Sequence, residues 1–132
     1  MRVRHSTAAM WVSNPTPLPI GETMKEVLLL LAFCADVDTF EITPEQMTYL
    51  AGQPAFGLYL HGSIFIRNDL EKVFRESVYI HECKHAQQEQ LGGVAQTNKE
   101  WHRRECEAEK IQQEYLGAYG KGIVGVCNYG IQ

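Results

Sequence analysis

The stretch His81-Glu82-Cys83-Lys84-His85 constrains this chain more than any other. Two imidazoles four residues apart act together only if the backbone between them is helical. At about 3.6 residues per turn, positions i and i+4 stand one above the other, so both rings can converge on one metal ion. A metal site open to substrate uses three protein ligands and leaves one position free, so a second element packed against this helix must supply a His, Glu or Asp. Glu82 sits between the two rings, where it can take a proton from water activated by the ion.

The sequence downstream offers that second element. Thr97-Asn98-Lys99-Glu100 reads as a capping box opening a helix, and Gly117 and Gly120 end it. At about 100° per residue, Trp101, Ala108, Ile111, Tyr115, Leu116 and Tyr119 form its apolar stripe, with Glu105 about 60° from the centre. A carboxylate turned towards a core is costly unless it is paired or bound to a metal, which favours Glu105 over Glu107 on the flank and Glu109 at the stripe's edge. His102 is the rival third ligand; alternatively it serves, like Tyr115 or Tyr119, as a donor to a developing oxyanion.

With these residues the chain resembles the gluzincin branch of zinc metallopeptidases, in which HExxH is followed about twenty residues later by a ligand Glu in an E-x-x-[AS]-[DN] context. The step from His85 to Glu105 is 105 − 85 = 20, and Glu105-Cys106-Glu107-Ala108-Glu109 supplies E-x-x-A with an acid at the last position, although Glu109 stands where Asp or Asn is usual. Over residues 55–120 it looks most like the small stand-alone members, the ImmA/IrrE-type proteins and other short bacterial or phage HExxH proteins. The resemblance implies one Zn²⁺ on His81, His85 and Glu105, with Glu82 as the catalytic general base. It also implies hydrolysis of a peptide or protein substrate, and Glu109 as the outer acceptor that orients a ligand imidazole. Metzincins want Gly and His where this chain has Gln88 and Leu91, and a SprT-like three-histidine site would use His102, but Arg103 follows it in place of Gly. The reading from another class is a zinc-stabilised binding or regulatory module, its fourth position closed by His102 or Cys83; an acid between the ligands argues for catalysis.

At 132 residues, 45% hydrophobic and 21% charged, the chain suits one α+β, zincin-like domain over 1–132, mainly helical with a small β-hairpin or sheet. A net charge of −4 disfavours nucleic acid and an anionic membrane as main partners, and oligomeric state is not written in the sequence. The apolar run over 27–35 is too short to span a bilayer and predicts a buried helix over 21–36, while the Pro-rich stretch after the basic start lacks the apolar region of a signal peptide. A cytoplasmic protein is expected. Cys34, Cys83, Cys106 and Cys127 show no C-x-x-C spacing and read as reduced, packed thiols.

The remaining expectations concern scaffold. They are an extended lead-in over 1–20, a short helix capped by Thr43-Pro44-Glu45-Gln46, and a hairpin of Gly57-Leu58-Tyr59-Leu60 with Ser63-Ile64-Phe65-Ile66 about an exposed His61-Gly62 turn. The HExxH helix should run from near Asp69 to the Gly92-Gly93 break, Arg103-Arg104 should be a solvated helix face, and the Gly-rich tail over 120–132 should add an edge strand or stay mobile.

Overall fold

Local signals set where each element starts and stops. In the computed structural model, residues 22–121 and Cys127 are described; the lead-in over 1–20 and, Cys127 apart, the tail beyond 121 lie outside them. The first helix, α1 (Glu22–Phe33), carries the apolar run and tightens into a 3₁₀ turn at Cys34–Asp36. It buries Val27 and Leu30 and leaves Leu28 and Leu29 exposed. After strand β1 (Asp38–Ile42) comes α2 (Pro44–Ala51), opened by a complete capping box. The Thr43 hydroxyl accepts from Gln46 N–H, and the Gln46 side chain accepts from Thr43 N–H. Strands β2 (Gly57–Leu60) and β3 (Ser63–Arg67) form the expected hairpin. Its turn places His61 at φ 52° and Gly62 at φ 82°, the left-handed pair that a two-residue turn needs to match strand twist.

Two long helices follow. Helix α3 (Lys72–Gly92) starts slightly later than expected, because Asp69 is engaged by the Arg67 guanidinium at 2.9 and 2.7 Å while the Glu71 carboxylate caps Val73 and Phe74 N–H. It stops at Gly93, whose φ is 72°. Helix α4 (Asn98–Ala118) is capped by Thr97, which accepts from Glu100 N–H.

The sheet order is β1-β3-β2, with β3 central, parallel to β1 and antiparallel to β2. Among the described residues this makes an α+β fold of four helices and a three-stranded mixed sheet, so β1 is an addition to the hairpin expected from sequence. Ile64 and Ile66 of β3 join Val27 and Leu30 of α1, Val78 and Ile80 of α3, and Ile111 and Tyr115 of α4 in one core. On the opposite side of β3, Phe65 stacks on Phe40 of β1 at 5.5 Å between ring centroids.

The cysteines depart from the expectation of reduced thiols. Cys34 is bonded to Cys83 and Cys106 to Cys127. Cys83 lies two residues beyond His81, about 200° around the helix, so its sulfur faces the core and the bridge does not collide with the ligand face. Disulfides persist in oxidising surroundings, so this pairing removes the reduced-cysteine ground for placing the protein in the cytoplasm. Among the described residues, no helix is long and apolar enough to cross a membrane.

Candidate metal centre

Helices α3 and α4 pack along their length and bring three ligand-bearing side chains to one point. His81 and His85 occupy successive turns of α3, and Glu105 reaches them from α4. His81 Nε2 lies 3.1 Å from Glu105 Oε2, His85 Nε2 lies 2.9 Å from Glu105 Oε1, and the two Nε2 atoms are 3.2 Å apart. Donors on adjacent corners of a tetrahedron around a small divalent ion, each about 2.0–2.2 Å from it, stand about 3.3–3.6 Å apart; at 2.9, 3.1 and 3.2 Å the group is slightly tighter than that and needs only a small opening to take an ion. Two imidazoles and a carboxylate are also a donor set suited to such an ion. Among the described residues the group is His81, His85 and Glu105. Glu107 and Glu109 do not belong to it. Nor does His102, which meets Trp101 edge-on at 5.3 Å. Cys83, spent in its disulfide, has no thiolate to offer.

Two glutamines set the orientation of the rings. The Ser77 hydroxyl donates to Phe74 C=O at 2.6 Å, so its oxygen is left to accept from Gln112 Nε2 at 3.2 Å. That turns Gln112 Oε1 to His81 Nδ1 at 2.8 Å. An amide oxygen can only accept, hence His81 Nδ1 carries a proton and Nε2 is the nitrogen turned to Glu105 and available to an ion. The same logic applies to His85. Gln88 Nε2 donates to Arg104 C=O and to Glu107 Oε1, both at 2.9 Å, which presents Gln88 Oε1 to His85 Nδ1 at 3.0 Å. Glu109 therefore does not hold the place expected of it. It lines the cleft in front of the group, while the outer partner of each ring is a glutamine.

Charge in the group is strongly coupled. Burial disfavours the charged imidazoles, but the Glu105 carboxylate bonded to them and the nearby Glu82 outweigh it, holding His81 up at about 9 and raising His85 in the same direction. Burial would raise the Glu105 carboxyl too, yet the two rings hold it far below the usual carboxylate range. Glu82 is 6% exposed and stands outside the donor group. Burial pushes its carboxyl up, opposed by the His81 and His85 charges and by a hydrogen bond from Tyr59 N–H.

That last bond depends on Gly57. A Cβ there would stand 2.5 Å from Val78 Cγ1 and 3.2 Å from Glu82 Cγ, so only glycine lets β2 lie this close to α3. Tyr115 and Tyr119 pack against each other with ring centroids 5.1 Å apart; Tyr115 is fully buried in the core and Tyr119 lies against it. Neither lines the cleft, and the phenol that does is Tyr59. Arg104 is another departure. Instead of a solvated side chain it is buried, its guanidinium donating to Gly93 C=O at 2.6 Å and Gly92 C=O at 3.3 Å and pairing with Glu100 at 2.9 Å. Arg103 does face solvent, between Glu100 and Glu107. Compared with protein-family models, with curated proteins and with solved structures, the chain finds no match.

Proposed function

We propose that this protein is a zinc-dependent peptidase whose general base is Glu82. The observation that carries the reading is a buried carboxylate, standing apart from three donors that converge within 2.9–3.2 Å of one another. A zinc ion held by His81, His85 and Glu105 would supply a Lewis acid that polarises a peptide carbonyl and makes water a nucleophile near neutral pH. Glu82 would serve as the base that takes a proton from the attacking water and passes it to the leaving amine. Tyr59 N–H aims the carboxylate, and Gln112 and Gln88 keep both Nε2 atoms turned to one point.

A peptide substrate is supported by the edge of the sheet. Among the described residues strand β2 is an edge strand, and Arg67 N–H donates to Phe56 C=O in the hairpin, so by alternation Gly57 and Tyr59 turn their backbone groups away from β3 and towards the cleft side; with Tyr59 N–H given to Glu82, the Gly57 N–H and the Gly57 and Tyr59 carbonyls face that side. An extended chain can pair there. The catalytic reading is favoured over a structural zinc site because a structural site is closed by four protein ligands, whereas among the described residues three make up the group and neither Cys83 nor His102 joins it.

The deciding experiment pairs metal analysis with Glu82→Gln. Wild-type protein is expected to bind one zinc and cleave an unfolded protein substrate. Glu82→Gln should keep the zinc and lose at least about a hundredfold in activity. Wild type that takes up no zinc, or a variant that loses its zinc, overturns the assignment.

A further inference from the structure

The metal group opens into a cleft of about 650 Å³. Part of its wall is apolar and exposed: Phe56 at 46%, Val94 at 61% and Trp101 at 53% all line it, with Ala55, Leu58 and Ala95 between them. Large apolar side chains left in water and gathered around one concavity mark a binding surface. These are also held in place. Phe56 meets Phe74 edge-on at 5.0 Å and lies under the Arg67 guanidinium at 5.1 Å. Trp101 stands one helical turn before Glu105, its ring against His102. Val94 and Ala95 belong to the connection between α3 and α4, and the buried Arg104 ties that connection down by its hydrogen bonds to the Gly92 and Gly93 carbonyls.

We infer that this wall is the specificity subsite of the enzyme, accepting a bulky apolar side chain, aromatic above all, from the residue flanking the scissile bond. The inference rests on the peptidase reading. An aromatic side chain entering the cleft leaves water and packs against the Trp101 indole and the Phe56 ring, in a surface that needs no ordering to receive it. An acidic side chain is rejected, because Glu89 and Glu109 line the same cleft and the charge of Arg104 is already paired with Glu100.

The test measures binding, so that it does not depend on turnover. Zinc-loaded protein is titrated calorimetrically with acetohydroxamate and with the N-acetyl hydroxamates of phenylalanine, alanine and aspartate, which share a metal-binding group and differ in the side chain. The phenylalanine compound is expected to bind about 10–100-fold tighter than the alanine compound, with the aspartate compound weakest. Trp101→Ala and, separately, Val94→Asp should bring the phenylalanine-to-alanine ratio to within about threefold of one. Tight binding of all the hydroxamates with no side-chain preference would leave the metal centre standing and remove the subsite. A preference that survives in both variants would also remove it, since the wall would then not be the source. Failure of every hydroxamate to bind, acetohydroxamate included, would remove the metal reading and the subsite together.

Discussion

Gln112 and Gln88 give His81 and His85 neutral outer partners, where a carboxylate would donate more electron density to the ring. Gln112→Leu keeps the approximate volume but strands the His81 Nδ1 proton and takes from the buried Ser77 oxygen the donor it accepts from. It should lower zinc affinity about 10–100-fold, read by competition with a chromophoric chelator. Gln112→Glu restores an acceptor for the His81 Nδ1 proton, though not the donor to Ser77, and should recover most of the lost affinity, and Glu109→Ala should stay close to wild type. Wild-type affinity in Gln112→Leu would show that the relay does not orient the ring. The meeting of His81, His85 and Glu105 was legible because the HExxH motif and the step of twenty to Glu105 are encoded in rigid helices. The relay was only half legible. Gln112 lies seven residues beyond Glu105, within about 20° on the same helical face, and Ser77 is four before His81, so geometry could have nominated both. Nothing in an amide or a hydroxyl marks it as a metal-site residue, and the choice between Gln112 and Glu109 was made by the packing of α4 on α3.

Strand β2 crosses α3 at close range. Gly57→Ala would place a methyl group on Val78 and Glu82, so either β2 moves out or the carboxylate moves away from Tyr59 N–H. Overpacking of this kind costs about 1–3 kcal/mol, to be seen as a lower urea midpoint. If the protein is the proposed peptidase, its activity should fall more steeply than its zinc affinity, because the substitution displaces Glu82 and not His81, His85 or Glu105. A variant as stable and active as wild type would mean that the close approach is incidental. The hairpin was readable since its alternation and turn are local. Strand β1 was not: Asp38-Thr39-Phe40-Glu41-Ile42 is short and bounded by an acid, and its parallel pairing with β3 spans α2 and β2 in sequence. Trp101 and Arg104 were misread for a related reason. The apolar stripe of α4 predicts a buried indole and a solvated guanidinium, but the Gly92–Gly93 break carries the chain back over the start of α4, exposing the first to the cleft and enclosing the second.

At the scale of the whole molecule, both ligand-bearing helices are tied to distant parts of the chain. Cys83 joins α3 to the end of α1 across 49 residues, and Cys106 joins α4 to Cys127 across 21. In the chain-entropy account such loops contribute roughly 3–4 kcal/mol each. No sequence spacing announced them, because disulfide partners are chosen by proximity in the fold. Cys34 and Cys83 are fully buried whereas Cys106 and Cys127 are partly open, so graded reduction of native protein should label Cys106 and Cys127 first in alkylation mass spectrometry. A metal ion held by His81, His85 and Glu105 would add a third tie, between α3 and α4, and would compete with protons. With His81 raised to about 9 and His85 raised as well, the metal-free group holds imidazolium at pH 7, and its charge is balanced by Glu105. A metal takes neutral imidazole, so the free protein binds more protons than the loaded one. Zinc affinity therefore rises with pH through neutrality and levels off above about 9, and the thermal stabilisation by zinc shrinks as pH falls. Calorimetric titration at pH 7 in two buffers of different ionisation enthalpy should show about one to two protons released per zinc. Binding without proton release would mean that the two rings are already neutral in the free protein, and that the charge balance drawn here between imidazolium and Glu105 is wrong.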